Sequence, residues 1–442
     1  MTKNGAIAIE GGRLIDPAAA IDAPRDLLLE EGVVRAVETA GTFRSTEVAR
    51  RIDARGCWLV PGLIDLHVHL REPGYEYKET VATGTAAAVA GGFTAVACMA
   101  NTNPVNDSAA VTRFILERAA EAGLARVYPI GALSQGLRGE RLAEIGEMRA
   151  AGIVAVSDDG KPVADAGLMR HALEYCAMFG VPVVDHAEDP GLAAAGAMHE
   201  GRTSVRLGLK GIPAAAEEAM VSRDLLLAEL TGGRLHIAHA STRGTVALLR
   251  AAKARGVRVT AEATPHHFTL TDEAVAEYDG NAKMNPPLRT AEDREALRQA
   301  LADGAIDAIA TDHAPHHRDE KDVEFDNAAF GIVGLETALP LSLRLVEELV
   351  LSPADWVRRT SVAPAEILGV AGGTLRAGAA ADVTVVNPEI EWRVNAAELR
   401  SKSKNSPFLG WTMRGRAIYT IVGGRVVFEH LAPTAGASRS ER

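Results

Sequence analysis

The chain has 442 residues, 47% of them hydrophobic and 24% charged, and a formal net charge of −11. That length holds one large domain plus a smaller one, or about two to three ordinary ones, and the acidic balance argues against a general nucleic-acid binder, whose surface needs clustered Lys and Arg. No apolar run reaches the roughly 18 residues of a membrane span, no leader-like apolar core follows a basic start, and Cys57, Cys98 and Cys176 are far apart in apolar surroundings without a CxxC spacing. A reduced, cytoplasmic protein bound neither to nucleic acid nor to a membrane is predicted.

In chain order, residues 1–57 read as short strands joined by turns, with alternating apolar residues in "AIAIEGGRLID" and "DLLLEEGVVRAVE". From residue 58 one theme repeats: an apolar run, an Ala- and Leu-rich amphipathic segment, then another apolar run. The runs are "WLVPGLIDLHVHL" (58–70), "FTAVACMA" (93–100), "ARVYPIGAL" (125–133), "IVAVSDD" (153–159), "VPVVDHAE" (181–188), "RLHIAHAS" (234–241), "RVTAEATPHHF" (258–268) and "IDAIATDHAP" (306–315). Between them, segments such as "LMRHALEYCAMFG" end in the glycine that stops helices. Apolar strands alternating with helices indicate a parallel sheet covered on both faces. Eight such units over roughly 300 residues fit an α/β fold closed as a β/α barrel of the TIM type, spanning 58–368. Residues 369–430 return to short strands with Gly-Gly turns, so the two flanks are predicted to pack as a composite β-sandwich, followed by a small, polar, flexible tail at 431–442.

The chemistry gathers at strand ends. Asp65, His67 and His69 alternate with Leu66, Val68 and Leu70, which on a strand puts the polar set on one face and the aliphatic set, toward the helices, on the other. One inward His is commonly a hydrogen-bonded core residue; two at i, i+2 need partners. Asp159, His186, His239 and Asp312 end later strands, and the C-terminal face of a barrel is where such ends converge. Four His and two Asp suit Zn²⁺, and six ligands exceed one tetrahedral ion, so a two-metal site is expected. By the spacing of three, His236 should not share a face with His239. His266, His267, His313 and His317 are expected at the rim, either supporting the ligands from behind or solvated, with His313 the candidate for orienting a ligand. Residues 316–330 are charged and irregular, as expected of a loop over the site.

"PGLIDLHVHLREPGYEYKET" (61–80), "MANTNP" (99–104), "SDDGKPV" (157–163), "DHAED" (185–189), "HIAHAS" (236–241), "AKMNPPLR" (282–289), "ATDHAPH" (310–316) and "GTLRAGAAADVTVVNP" (373–388) together resemble the amidohydrolase superfamily and, within it, dihydroorotases of the long bacterial type. The combination is specific although "DxHxH" alone is not. "MANTNP" departs from the pattern at Ala100, where relatives commonly carry Pro. The resemblance implies a reversible cyclisation of N-carbamoyl-L-aspartate to L-dihydroorotate in pyrimidine (UMP) biosynthesis, with two Zn²⁺ per chain, or one of the two bound weakly. It implies that His67, His69 and Asp312 hold one zinc, that His186 and His239 hold the other, and that Asp159 bridges them. A carboxylated Lys161 is the competing bridge, and Asp158 is the non-ligand of its pair. A metal-bridging hydroxide would attack, with Asp312 as general acid and base. His69, Arg71, Asn101, Asn285, His316 and the backbone at Phe330 and Gly331 would contact substrate. The plainer reading of Arg71 is an ion pair with Glu72, Glu76 or Glu79.

Two rivals follow from the same resemblance. Hydantoinase-, dihydropyrimidinase- or allantoinase-type hydrolases share the two-histidine start but use a carboxylated lysine where Asp159 stands. A non-catalytic dihydroorotase-like subunit of aspartate transcarbamoylase would have lost ligands that are all present here. Expected partners are the small-molecule substrate, a second copy in a homodimer, and aspartate transcarbamoylase in some family members.

Overall fold

The structure, a computed structural model, describes residues 5–430, so the tail predicted at 431–442 lies outside the described residues. The strands in chain order are β1 (Ile7–Asp16), β2 (Ile21–Glu30), β3 (Val33–Thr39), β4 (Arg50–Asp53), β5 (Trp58–Pro61), β6 (Leu63–Val68), β7 (Phe93–Cys98), β8 (Arg126–Gly131), β9 (Ala155–Val156), β10 (Val183–Asp185), β11 (Met198–His199), β12 (Gly211–Ile212), β13 (Leu235–Ile237), β14 (Val259–Ala263), β15 (Ala308–Ile309), β16 (Val383–Arg393), β17 (Thr412–Val422) and β18 (Arg425–Glu429).

Parallel strands follow one another in the order β6-β7-β8-β9-β10-β13-β14-β15. His69 N donates to His313 O at 2.8 Å and Val68 bridges His313, which brings the first strand back against the last and nearly closes the barrel. All six residues of β7, "FTAVAC", are buried, as both faces of a parallel strand must be when helices cover it. The helices begin and end where local chemistry dictates. Helix Ala166–Phe179 starts as Asp165 accepts from Leu168 N and stops at Gly180 with φ 66°, a left-handed cap that costs glycine nothing.

The flanks form the expected composite unit, as a single hydrogen-bonded sheet in the order β18-β17-β16-β5-β1-β2-β3, with β4 against β1. Its apolar cluster takes Leu14, Leu27 and Leu59 from one end of the chain and Val383 and Ile421 from the other. Each such side chain contributes roughly 1.5–3 kcal/mol by leaving water, and that burial is shared between the two ends of the chain. Trp58–Pro61, read from the sequence as the start of the first barrel strand, instead pair with β1 and β16. Gly62 separates them from β6, and a Cβ there would collide with the Thr94 side chain. No helix among the described residues is long and apolar enough to cross a membrane.

Candidate metal centre

The six candidate ligands sit on or just beyond the C-terminal ends of β6, β9, β10, β13 and β15, and all are buried. His239 and Asp312 have φ of 32° and 46°, and Arg71 has 62°. Left-handed backbone at non-glycine residues is strained and concentrates at functional sites. At His239 it also corrects the alternation argument. The strand has ended at Ile237, so His236 and His239 both face the interior, where Glu262 meets the ring of one and the main chain of the other.

Asp159 is the hub of the cluster. Its Oδ1 lies 3.4 Å from His67 Nε2, 3.5 Å from His186 Nδ1 and 3.4 Å from His239 Nε2, and its Oδ2 lies 3.5 Å from His69 Nε2. Asp312 Oδ1 is 3.0 Å from His69 Nε2 and 3.4 Å from His67 Nε2. His186 Nδ1 and His239 Nε2 converge at 3.0 Å. Among the described residues two sets of donor atoms lie close enough to hold a metal, His67–Asp159–His239 and His67–His69–Asp312. His67 Nε2 is buried without a hydrogen-bond partner, while its Nδ1 stands 2.8 Å from Glu262 Oε1. With Nδ1 donating to Glu262, Nε2 faces two carboxylates, and that contact is favourable only with a proton or a metal cation between them. The donor set, imidazole nitrogen with carboxylate oxygen, fits a borderline divalent ion.

The same crowding moves the titrations. Burial alone would depress the His67 imidazolium, yet Asp312 and Asp159 hold its pKa well above the ordinary value. Burial likewise opposes the charge on His186, but Asp159 pushes its pKa up to about 9. Burial would raise Asp159 and Asp312, and the histidines, His67 foremost, keep both carboxyls below their usual range. Both acids are therefore held as carboxylates among the imidazoles.

The paired acids of "SDDGKPV" divide their work. Asp158 Oδ1 accepts from Leu133 N and Ser134 N, each at 2.9 Å, and its other oxygen pairs with Ser134 Oγ. Asp158 thereby ties the loop after β8 to the end of β9, and burial pushes its pKa up to about 6. Lys161 is exposed in the turn beyond. Asp65 binds main chain, its Oδ1 accepting from His67 N at 3.1 Å and Thr311 N at 3.0 Å. Leu66 clusters with Ile64, Ala97 and Met99 rather than with the helix residues that Val68 and Leu70 meet, because the β6–β7 register shifts between Asp65 and Val68.

Glu262 is the residue that sequence reasoning missed. Its Oε1 faces His67 Nδ1, its Oε2 lies 3.1 Å from His236 Nε2, and Oε1 accepts from His239 N at 3.3 Å. Burial would raise its pKa, but His236 and His67 hold it at about 2. The signal was available: an acid between Ala261 and Ala263 in a strand read as buried must have a partner. Removing the partner that orients a metal-binding imidazole typically costs 10–100-fold in metal affinity. Glu262→Gln is therefore expected to weaken metal binding by about that factor in a chelator-competition titration, and an unchanged affinity would refute the role.

Of the residues expected to contact substrate, Asn101 and Asn285 meet histidines of this cluster, and Arg71 and His316 meet each other. Arg71 Nε donates to Pro315 O at 3.2 Å, and its Nη2 is 3.3 Å from His316 Nε2. The three glutamates that offered it an ion pair are engaged elsewhere: Glu72 accepts from Val81 N, Glu76 from Gly74 N, and Glu79 from Lys402 N. Asn101 Oδ1 is 2.9 Å from His69 Nδ1, and Asn285 Nδ2 is 3.5 Å from His186 Nε2. The Phe330 ring lies 4.6 Å from Lys283 Nζ, and Gly331 N donates to Lys283 O. Of the four histidines expected at the rim, only His317 is exposed; His266, His267 and His313 are buried. His267 Nε2 is 2.9 Å from Pro286 O, and His313 Nε2 is 3.3 Å from Glu79 Oε2 while its carbonyl accepts from His69 N.

A family model described as Dihydro-orotase-like matches residues 56–245. A dihydroorotase from Geobacter sp. (strain M21) is 58% identical, the match covering 96% of this chain and 99% of the relative. One from Syntrophotalea carbinolica is 56% identical over the same shares. Among solved structures, an L-hydantoinase (dihydropyrimidinase) from Arthrobacter aurescens superposes with a TM-score of 0.85 at 27% identity, covering 96% of each chain.

Proposed function

This chain belongs to the dihydroorotase family, whose members are cyclic amide hydrolases, and from that premise we propose that it interconverts L-dihydroorotate and N-carbamoyl-L-aspartate in pyrimidine biosynthesis with two bound zinc ions. The observation that carries the proposal is Asp159 within 3.5 Å of a ring nitrogen of all four histidines, beside a buried His67 Nε2 without a hydrogen-bond partner.

We assign His67, His69 and Asp312 to one ion, His186 and His239 to the other, and Asp159 to both. Ions held there would polarise the ring amide carbonyl and ease deprotonation of the attacking water. In the hydrolytic direction Asp312 takes the water proton as oxygen bonds to the carbonyl carbon. The carbon–nitrogen bond then breaks, and Asp312 returns that proton to the departing nitrogen. In the closing direction it removes a proton from the ureido nitrogen and hands it to the departing oxygen. Arg71 would meet the substrate carboxylate through its planar fork, with Asn101 and His316 beside it, while Asn285 and the backbone at Phe330 and Gly331 would orient the ring. A homodimer and an aspartate transcarbamoylase partner rest on the family alone.

Dihydroorotate, hydantoin and allantoin hydrolysis, assayed side by side with metal analysis of the same sample, tests this reading. Turnover of dihydroorotate with about two zinc ions per chain is expected. Turnover of hydantoin or allantoin without dihydroorotate would favour the rival class that the Arthrobacter likeness represents.

A further inference from the structure

The corner assigned above to the substrate is not held by the barrel strands alone. His316 N donates to Asn405 Oδ1 at 3.0 Å, and Asn405 Nδ2 donates to Ala314 O and Gly331 O, each at 3.0 Å. Both amide hydrogens and the amide oxygen of one buried side chain are thus committed to two chain segments. The Asn405 carbonyl closes the same joint by accepting from Val333 N at 2.9 Å.

Gly331 leaves this joint no slack. Its φ is 148°, and a Cβ there would lie 2.7 Å from Ala314 O and 2.8 Å from His316 Cδ2. A side chain at 331 would therefore push on the His316 ring and the Ala314 carbonyl, and glycine lets the two segments pack this closely. Lys321 Nζ adds a second donor to Gly331 O at 2.9 Å, clamping the far end of the 316–330 loop.

Asn405 reaches this corner from the connection between β16 and β17, outside the barrel. Its neighbours do the same a few residues earlier: Ser401 Oγ and Lys402 N both bond Glu79, which faces His313. A segment of the flanking sheet unit thus buttresses the loop that follows β15.

We infer that Asn405 is a positioning residue for the anionic substrate, holding His316 and the Gly331 main chain in one register so that they meet it as a single surface. This rests on the assignment of Arg71, His316 and Gly331 to substrate. Asn405 touches neither the metal cluster nor Asp312, so its loss should act on substrate capture more than on the chemical step.

The test compares Asn405→Ala and Arg71→Ala with the wild-type holoenzyme, using dihydroorotate kinetics, metal analysis and thermal unfolding. For Asn405→Ala, KM is expected to rise at least about tenfold while kcat falls less than about threefold and metal content stays at the wild-type level. Should Asn405→Ala not fold, Asn405→Ser, which keeps a hydroxyl in the gap, carries the same expectation. An unchanged KM in the folded variant, or metal lost in step with activity, overturns the inference. Arg71→Ala separates the two levels of the argument. If it raises KM and Asn405→Ala does not, the substrate assignment stands and the inference falls. If neither raises KM, the assignment itself has failed.

Discussion

Asp159→Ala loses bound metal and activity together, whereas Lys161→Ala keeps both: this is the largest contrast expected from single substitutions in the chain. Among the described residues, the Asp159 carboxylate is the one group within 3.5 Å of ring nitrogens from His67, His69, His186 and His239 alike. Its removal leaves Asp312, which faces His67 and His69, as the remaining carboxylate of the cluster, and the two proposed ion positions lose their common ligand. The loss in kcat/KM should exceed the roughly 10–100-fold that follows removal of a partner outside the ligand set. Lys161 is exposed beyond Gly160, so its truncation removes only a solvated side chain. Metal analysis of the two purified variants decides the matter. Metal lost from the lysine variant alone would make Lys161, as its carbamate, the bridge.

Asp312→Asn separates binding from chemistry. Asparagine keeps the size of the side chain and one oxygen facing His69, so part of the metal should remain. It cannot take up and return a proton, and general acid–base catalysis is worth about 10²–10⁴-fold. Turnover should therefore collapse by about that factor, equivalent to about 3–5 kcal/mol of barrier. Steady-state rates corrected for metal content provide the measurement. Near-normal turnover would exclude Asp312 as the proton carrier and leave that role to another acid of the cluster.

Much of the fold was legible in linear order because the physics behind it is local. Eight apolar runs separated by amphipathic segments can bury both faces only in a helix-covered parallel sheet, and that is the sheet observed. The histidines and acids at the run ends were equally visible, because a barrel gathers its strand ends at one mouth. Local alternation failed where the chain stops being extended. His236 and His239 should have faced opposite ways, but φ of 32° at His239 turns both inward. Leu66 misled for a similar reason, a register shift between β6 and β7.

By itself, the sequence determined the element types, the barrel and the list of chemically competent residues at its mouth, since each depends on composition and period along a short stretch. Tertiary structure alone decided how those residues pair. In "SDDGKPV" spacing does not separate the two acids and only the family resemblance names Asp159, whereas packing sends Asp158 to the Leu133 and Ser134 main chain and Asp159 to the histidines. Glu262 and Asn405 belong to the same class: an acid inside a strand and an amide in a distant connection acquire meaning from partners 195 and 89 residues away, in His67 and His316. Such hydrogen bonds leave no period in the sequence, because their geometry is set by where separate strands and loops meet rather than by the residues on either side.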